Sequence, residues 1–220
     1  MKNLLLIVFF LTISILTTNA QKVGIVAGEN NESVYYYDIP DTTLIPVIAP
    51  WTPIDYNIDV NNDGIDDYNI YLAAGIYTGG SYYKTIFIEP YNNNEVSYYR
   101  IDTTNYYKVA KPFANGSIID GMSNFSAINT YIIDYSFTTG ATLTNITEWE
   151  GFGERNIGLK MHINDTLVYG WIKVEVLEGD VYYNTKMVIK EYAYAKKQTT
   201  NIFEEATNNS SLMIYPNPVQ

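Results

Sequence analysis

Ile157-Gly158-Leu159-Lys160-Met161-His162-Ile163, then Asn164-Asp165, then a return from Leu167 to Leu177: this stretch decides the fold. Apolar residues recur at every second position on both sides of a short polar break. That is the period of a half-buried strand and not of a helix. Asn164-Asp165 has the side chains that favour a tight turn, so the two runs fold back on each other as antiparallel neighbours. In the return run Val168, Gly170, Ile172, Val174 and Val176 fall on one face, and Tyr169, Trp171, Lys173 and Glu175 on the other. The first is a core face and the second a partly aromatic outer face. Gly179-Asp180 marks a further turn, into a strand-like run from Val181 to Tyr194.

The pattern extends toward the N-terminus. Many of the 22 tyrosines lie in runs with β-branched neighbours, among them Val34 to Tyr37, Tyr82 to Ile88, Val96 to Ile101 and Tyr131 to Phe137. Tyrosine suits a pleated, half-buried face because its ring packs while its hydroxyl stays wet. Turn clusters separate the runs: Gly79-Gly80, Tyr91 to Asn94, Asp102 to Asn105 and Ala114 to Ser117. No later segment holds a helical period, although Ile118 to Phe125 has room for a turn or two. The expectation is an all-β domain over residues 21–195, an antiparallel β-sandwich of jelly-roll type with about ten strands.

Particular residues reinforce this. Phe152-Gly153 through Leu159, Tyr169 to Val174, Glu191 to Tyr194, and the earlier Ala110 to Ile119 resemble a recurring pattern in secreted bacterial β-sandwich proteins. The resemblance spans about residues 34–195 and implies a fold without naming an activity.

The two ends read as processing segments. Met1-Lys2-Asn3, an apolar run from Leu4 to Leu16 and a small residue at Ala20 describe a secretory signal peptide over residues 1–20. The run is short for a membrane span, and no second one follows. Residues 196–211 have linker composition. Leu212-Met213-Ile214-Tyr215-Pro216-Asn217-Pro218 then resembles the opening of the C-terminal sorting domain of the Bacteroidetes type IX secretion system. Residues 212–220 match only its start, so a truncated sorting domain is the expectation. The resemblance implies the type IX machinery as partner and a secreted or outer-surface location. Asp41-Thr42-Thr43, Asp102-Thr103-Thr104 and Asp165-Thr166-Leu167 are similar to Bacteroidetes O-glycosylation sites.

Net charge is −11 and cysteine is absent. The first argues against nucleic acid and anionic membranes as partners. The second leaves the fold standing on its core, and on a metal if there is one.

The metal reading comes from Asp59-Val60-Asn61-Asn62-Asp63-Gly64-Ile65-Asp66-Asp67. Side-chain oxygens fall at loop positions one, three, five and nine, and a glycine follows the third. Ca²⁺ takes about six to eight oxygens at 2.3–2.6 Å, and glycine permits the turn that converges them. An EF-hand would need an acid at position twelve, which is Ile70. The spacing is similar instead to the Asp-x-Asp-x-Asp-Gly-x-x-Asp loops of integrin-type repeats. That likeness implies Asp59, Asn61, Asp63, the Ile65 carbonyl and Asp67 as ligands of a structural Ca²⁺. An ordinary Asx-rich turn around Asp63-Gly64 is the other reading.

Catalytic signals are sparse, and the expectation is a non-catalytic binding or structural module. His162 is the single histidine, sits mid-strand, and has no nucleophile elbow to serve. Glu148, Glu150 and Glu154 surround Trp149, and two acids about 5–9.5 Å apart would suit glycoside hydrolysis. A solvated turn is the plainer account. Trp149 and Trp171 are candidate contacts for an extracellular glycan, since aromatic rings cover the apolar faces of sugars; packing between sheets is the alternative. Trp51, between Pro50 and Pro53, is expected to plug one end of the domain. A carbohydrate-binding module or weak glycoside-degrading enzyme is thus the rival reading. A surface protein is the other candidate partner.

Overall fold

The computed structural model describes residues 24–46, 52–76, 79–101, 107–138, 141–146, 148–177 and 185–196. The expected signal peptide and sorting tail, nearly all of the linker, Gly179-Asp180 and Trp51 lie outside the described residues. Fifteen strands are present among those described. They are β1 (Gly24–Val26), β2 (Val34–Leu44), β3 (Ile54–Ile58), β4 (Tyr68–Ile76), β5 (Tyr82–Pro90), β6 (Glu95–Ile101), β7 (Lys108–Ala110) and β8 (Pro112–Phe113). There follow β9 (Ile118–Asp120), β10 (Asn124–Ser126), β11 (Thr130–Thr138), β12 (Ala141–Ile146), β13 (Glu154–Ile163), β14 (Thr166–Leu177) and β15 (Lys186–Ala195). The all-β class is as expected. Where a helical turn had room, residues 118–120 form β9 and 124–126 form β10, joined by a tight turn in which the Ser123 amide donates to the Asp120 carbonyl at 3.0 Å.

The deciding hairpin forms in register. Ile163 faces Thr166 and Ile157 faces Ile172 across β13 and β14. Asn164 and Asp165 both take positive φ, 48° and 58°. That is the two-residue turn whose twist matches the strands it joins. β15 then pairs with the far side of β14.

The sheet layout departs from two separate facing sheets. One hydrogen-bonded path runs β2-β15-β14-β13-β6-β7-β11-β5-β4-β3, with β8, β10 and β12 attached beside it. It is mixed, because β7 and β11 are parallel. Register shifts occur at Tyr98/Arg100, Tyr131/Ile133, Ser136/Phe137, Lys173/Val174 and Ile189/Glu191. Such bulges bend strands and increase twist, so a continuous sheet can curl on itself.

Its two ends come round to one core. Leu44 of β2 and Tyr192 and Tyr194 of β15 share a buried cluster with Ile58 of β3 and Tyr68, Ile70 and Leu72 of β4. The Tyr68 hydroxyl lies 3.3 Å from the carbonyls of both Glu95 and Lys160, on the opposite wall. The result is a nearly closed, barrel-like sheet. The β2 edge carries exposed Asp38, Pro40 and Asp41, residues that discourage edge-to-edge pairing.

At Tyr169 and Trp171 the outer face of β14 is buried as well. Val168, Ile172, Val174 and Val176 enter the main core. Tyr169 and Trp171, on the other face, join a second cluster with Ile25, Ala27, Val34, Phe113, Ile119 and Ala193. The small antiparallel sheet of β1 and β9 supplies this lid. Gly170 is required between the two layers. A Cβ there would lie 2.8 Å from the Ala193 carbonyl and 2.9 Å from Met161.

Two predictions follow from this packing. Gly170→Ala should cost about 1–3 kcal/mol by overpacking, read as a lower urea midpoint at unchanged slope. The second concerns the tyrosines. Burial, with Tyr107 and Asp134 beside it, pushes Tyr131 up to about 12, and burial likewise raises Tyr192 and Tyr194. A raised phenol favours the folded state fully below its unfolded value near 10, and that contribution is lost as pH rises through the folded value. Tyrosinate absorbance should therefore titrate in two stages, and stability should begin to fall above about pH 10. A single stage near 10 with the protein still folded would contradict the packing.

Candidate functional site

The acidic loop joins β3 to β4, whose last pair is Ile58 with Tyr68. Val60 is fully buried and anchors its start. At its end the Asp67 amide donates to the Ile58 carbonyl at 2.9 Å. Between them the chain turns through left-handed residues, Asn62 at φ 58° and Gly64 at φ 86°. Gly64 carries the conformation that L residues adopt at a cost.

Backbone amides hold the loop's side-chain oxygens. Asp63 donates its N–H to Asp59 Oδ1 at 3.2 Å and to Asn61 Oδ1 at 2.9 Å. Gly64 donates to Asp59 Oδ2 at 2.7 Å, and Ile65 to Asp63 Oδ1 at 2.9 Å. Asp67 differs from the others in being only 7% exposed. Its Oδ2 accepts the Val60 amide at 2.9 Å and its Oδ1 accepts Asn94 Nδ2 at 2.9 Å. Burial outweighs these bonds and raises its pKa, with Asp63 and Asp59 adding to the rise.

Asn94 is the site residue that sequence reading missed. It was visible only as the end of a turn cluster, yet it is 2% exposed. Besides holding Asp67, its Oδ1 accepts the His162 amide at 3.2 Å. The β5–β6 turn braces the loop further. The Tyr91 amide donates to the Asp67 carbonyl at 2.8 Å, and Asn92 Nδ2 to the Asp66 carbonyl at 3.3 Å.

All five expected ligand positions thus lie on one connected turn. Asp59 and Asn61 are half-buried, Asp63 and Ile65 exposed, and Asp67 buried. The donors are all oxygen, which suits a hard cation. Among the described residues, no three His, Cys, Asp or Glu side chains are gathered into a metal-binding group.

The other candidates fall elsewhere. Trp149 is 1% exposed and donates Nε1–H to the Ala110 carbonyl at 2.9 Å. Trp171 is 0% exposed beneath the β1–β9 lid. Neither ring offers a face to a sugar here. The three acids near Trp149 go separate ways: Glu148 pairs with Arg100, Glu150 with Lys84, and Glu154 with Lys190. Lys84 and Thr185, both buried, share Glu150. Lys190 holds the Glu154 carboxyl below its usual range. His162 is exposed on β13.

Asn94→Ala should leave an Asp67 oxygen and the His162 amide without partners, each costing about 1–3 kcal/mol. Urea unfolding should register the loss, and amide exchange at His162 should quicken well beyond that of neighbouring β13 amides. Unchanged exchange at His162 would mean that Asn94 does not hold this corner. Compared with protein-family models, with curated proteins and with solved structures, the chain matches none.

Proposed function

We propose that this chain is an exported, non-catalytic binding or structural module, stabilised by one Ca²⁺ held in the loop from Asp59 to Asp67. The ligands would be Asp59, Asn61, Asp63, the Ile65 carbonyl and Asp67. The observation that carries the reading is Asp67, a carboxylate held in a buried position whose hydrogen bonds do not fully offset its desolvation. Three further side-chain oxygen donors share its turn. A divalent cation would compensate all of these charges together. In this role the metal is structural. It ties the β3–β4 connection to the β5–β6 turn and, through Asn94, to β13.

The finer fold description belongs to the same proposal. β2-β15-β14-β13 and β11-β5-β4-β3 would act as the two walls of a jelly-roll-like sandwich, with β6 and β7 crossing between them. Residues of both walls in one core support it. The location is proposed from sequence: a signal peptide at residues 1–20 and a type IX-like sorting motif at Tyr215-Pro216-Asn217-Pro218 imply the type IX machinery as partner and a secreted or outer-surface protein.

A thermal melt in calcium and in chelator tests the metal. A ligand at one hundred times its Kd adds about 2.7 kcal/mol, which is about 5–10 °C for a domain of this size. Calcium should give a shift of that order, and Asp63→Ala should abolish it. No shift in the wild-type protein would leave the loop an ordinary turn.

A further inference from the structure

We propose that the outer face of β4, β5 and β11 binds a neutral glycan, an uncharged and hydroxyl-rich polymer, along a row of four aromatic rings. The proposal goes beyond the structural reading and does not depend on the calcium loop. Tyr71 lies opposite Phe87, and Phe87 opposite Tyr131. The row therefore crosses the strands at right angles and ends at Tyr107, just before β7. Ring centroids are 4.7 Å apart for Tyr71 and Phe87, 5.6 Å for Phe87 and Tyr131, and 4.2 Å for Tyr131 and Tyr107. Neighbours of opposite parity, Ile70, Leu72, Ile86 and Ile88, fill the main core, so the row faces outward. All four rings are half-buried, and none belongs to the cluster that the β1–β9 lid covers.

The row's ends and borders select the ligand. Among the described residues Tyr71 stacks only on Phe87, and Tyr107 only on Tyr131. Each end thus keeps, among the described residues, one ring face without an aromatic neighbour, the surface on which an apolar sugar face stacks. Beside Tyr71, on β3, stands the exposed carboxylate of Asp55. The next pair is exposed Asn57 with Asn69, which is buried and donates its amide to Asn57 Oδ1 at 2.7 Å, and half-buried Glu89 lies opposite Asn69. Carboxylate and amide oxygens accept hydrogen bonds from hydroxyls. β3, β4, β5 and β11 together contain one lysine and no arginine, and that lysine, Lys84, is buried against Glu150. Along β3, β4 and β5 an anionic polymer would meet the acids Asp55 and Glu89 and, among the described residues, no exposed cation. At the other end Lys108, next to Tyr107, is held by Ser126 Oγ at 2.9 Å and lies over the Tyr98 ring, so rings bordered by acceptors and by cations already engaged fit an uncharged polyol.

Affinity electrophoresis of the full chain through gels containing soluble neutral polysaccharides (mixed-linkage glucan, xylan, mannan) tests this. Alginate and poly-lysine serve as charged comparisons. At least one neutral polymer should retard the protein, equally in chelator and in calcium, and without loss at high salt, since no ion pair is involved. Tyr71→Ala and Tyr107→Ala should each weaken binding about tenfold or more. Should either alanine variant fold poorly, Asp55→Ala on the exposed edge strand should weaken binding while its melt matches wild type. Three outcomes overturn the proposal: no neutral polymer binds, only a charged polymer binds and salt abolishes it, or Asp55→Ala and the tyrosine variants bind like wild type.

Discussion

β14 is buried on both faces, and the rest of the molecule is arranged around that constraint. Its even-numbered residues Val168, Ile172, Val174 and Val176 fill the main core, while Tyr169 and Trp171 fill the second cluster. A slip of one residue would exchange the two sets, so the register with β13 has to be fixed locally. The two-residue Asn164-Asp165 turn fixes it. Each large apolar side chain fully buried this way contributes about 1.5–3 kcal/mol. In a chain without cysteine no covalent cross-link supplements these contributions. Two-sided burial also gives β1 and β9 their role: with Val34, Phe113 and Ala193 they cover Trp171, which the strand parity points away from the main core.

The bulges follow from the same need. Ten strands lying in one path would expose one whole face if they stayed flat. Bends at β6, β11, β14 and β15 turn that path inward until Tyr192 of one end lies 3.5 Å from the Asp59 carbonyl of the other. Closure is incomplete, and β2 and β3 remain edges among the described residues. At β2, Pro40 cannot donate to a further strand, and Asp38 and Asp41 would be buried by one.

Local features were legible in the sequence; those depending on distant partners were not. The β13–β14 hairpin, the parity of its side chains and the tyrosine-rich strands could be read because period and turn chemistry are local. The single path was not legible, since it rests on β7 lying parallel to β11 and on β6 meeting β13, pairings fixed only by the folded chain. Trp171 makes the same point. Its outward direction on β14 was correctly read, but its lid comes from residues 24–26 and 118–120, and nothing near position 171 announces them. At the loop, spacing identified the oxygens of residues 59–67. It could not identify Asn94, whose importance comes from being buried between Asp67 and the His162 amide.

Asp67 joins these strands of reasoning. A carboxylate in the interior needs compensation, and the fold provides two hydrogen bonds, one from Val60 and one from Asn94. These lower its pKa, yet burial wins and the net shift is upward. The interior thus holds an acid that it only partly supports, at the corner where β3, β4, the β5–β6 turn and β13 meet. The buried Val60 amide and Asn94 Nδ2 both need an acceptor at this corner, and the carboxylate supplies it at the cost of its own desolvation. A proton would neutralise Asp67 alone, whereas Asp63 and Asp59 both add to the rise at Asp67. One divalent cation would address all three, drawing in oxygens that backbone amides already hold on the same turn. On the calcium reading proposed above, the buried acid and the exposed ones would share one counter-charge at the end where the barrel-like sheet closes.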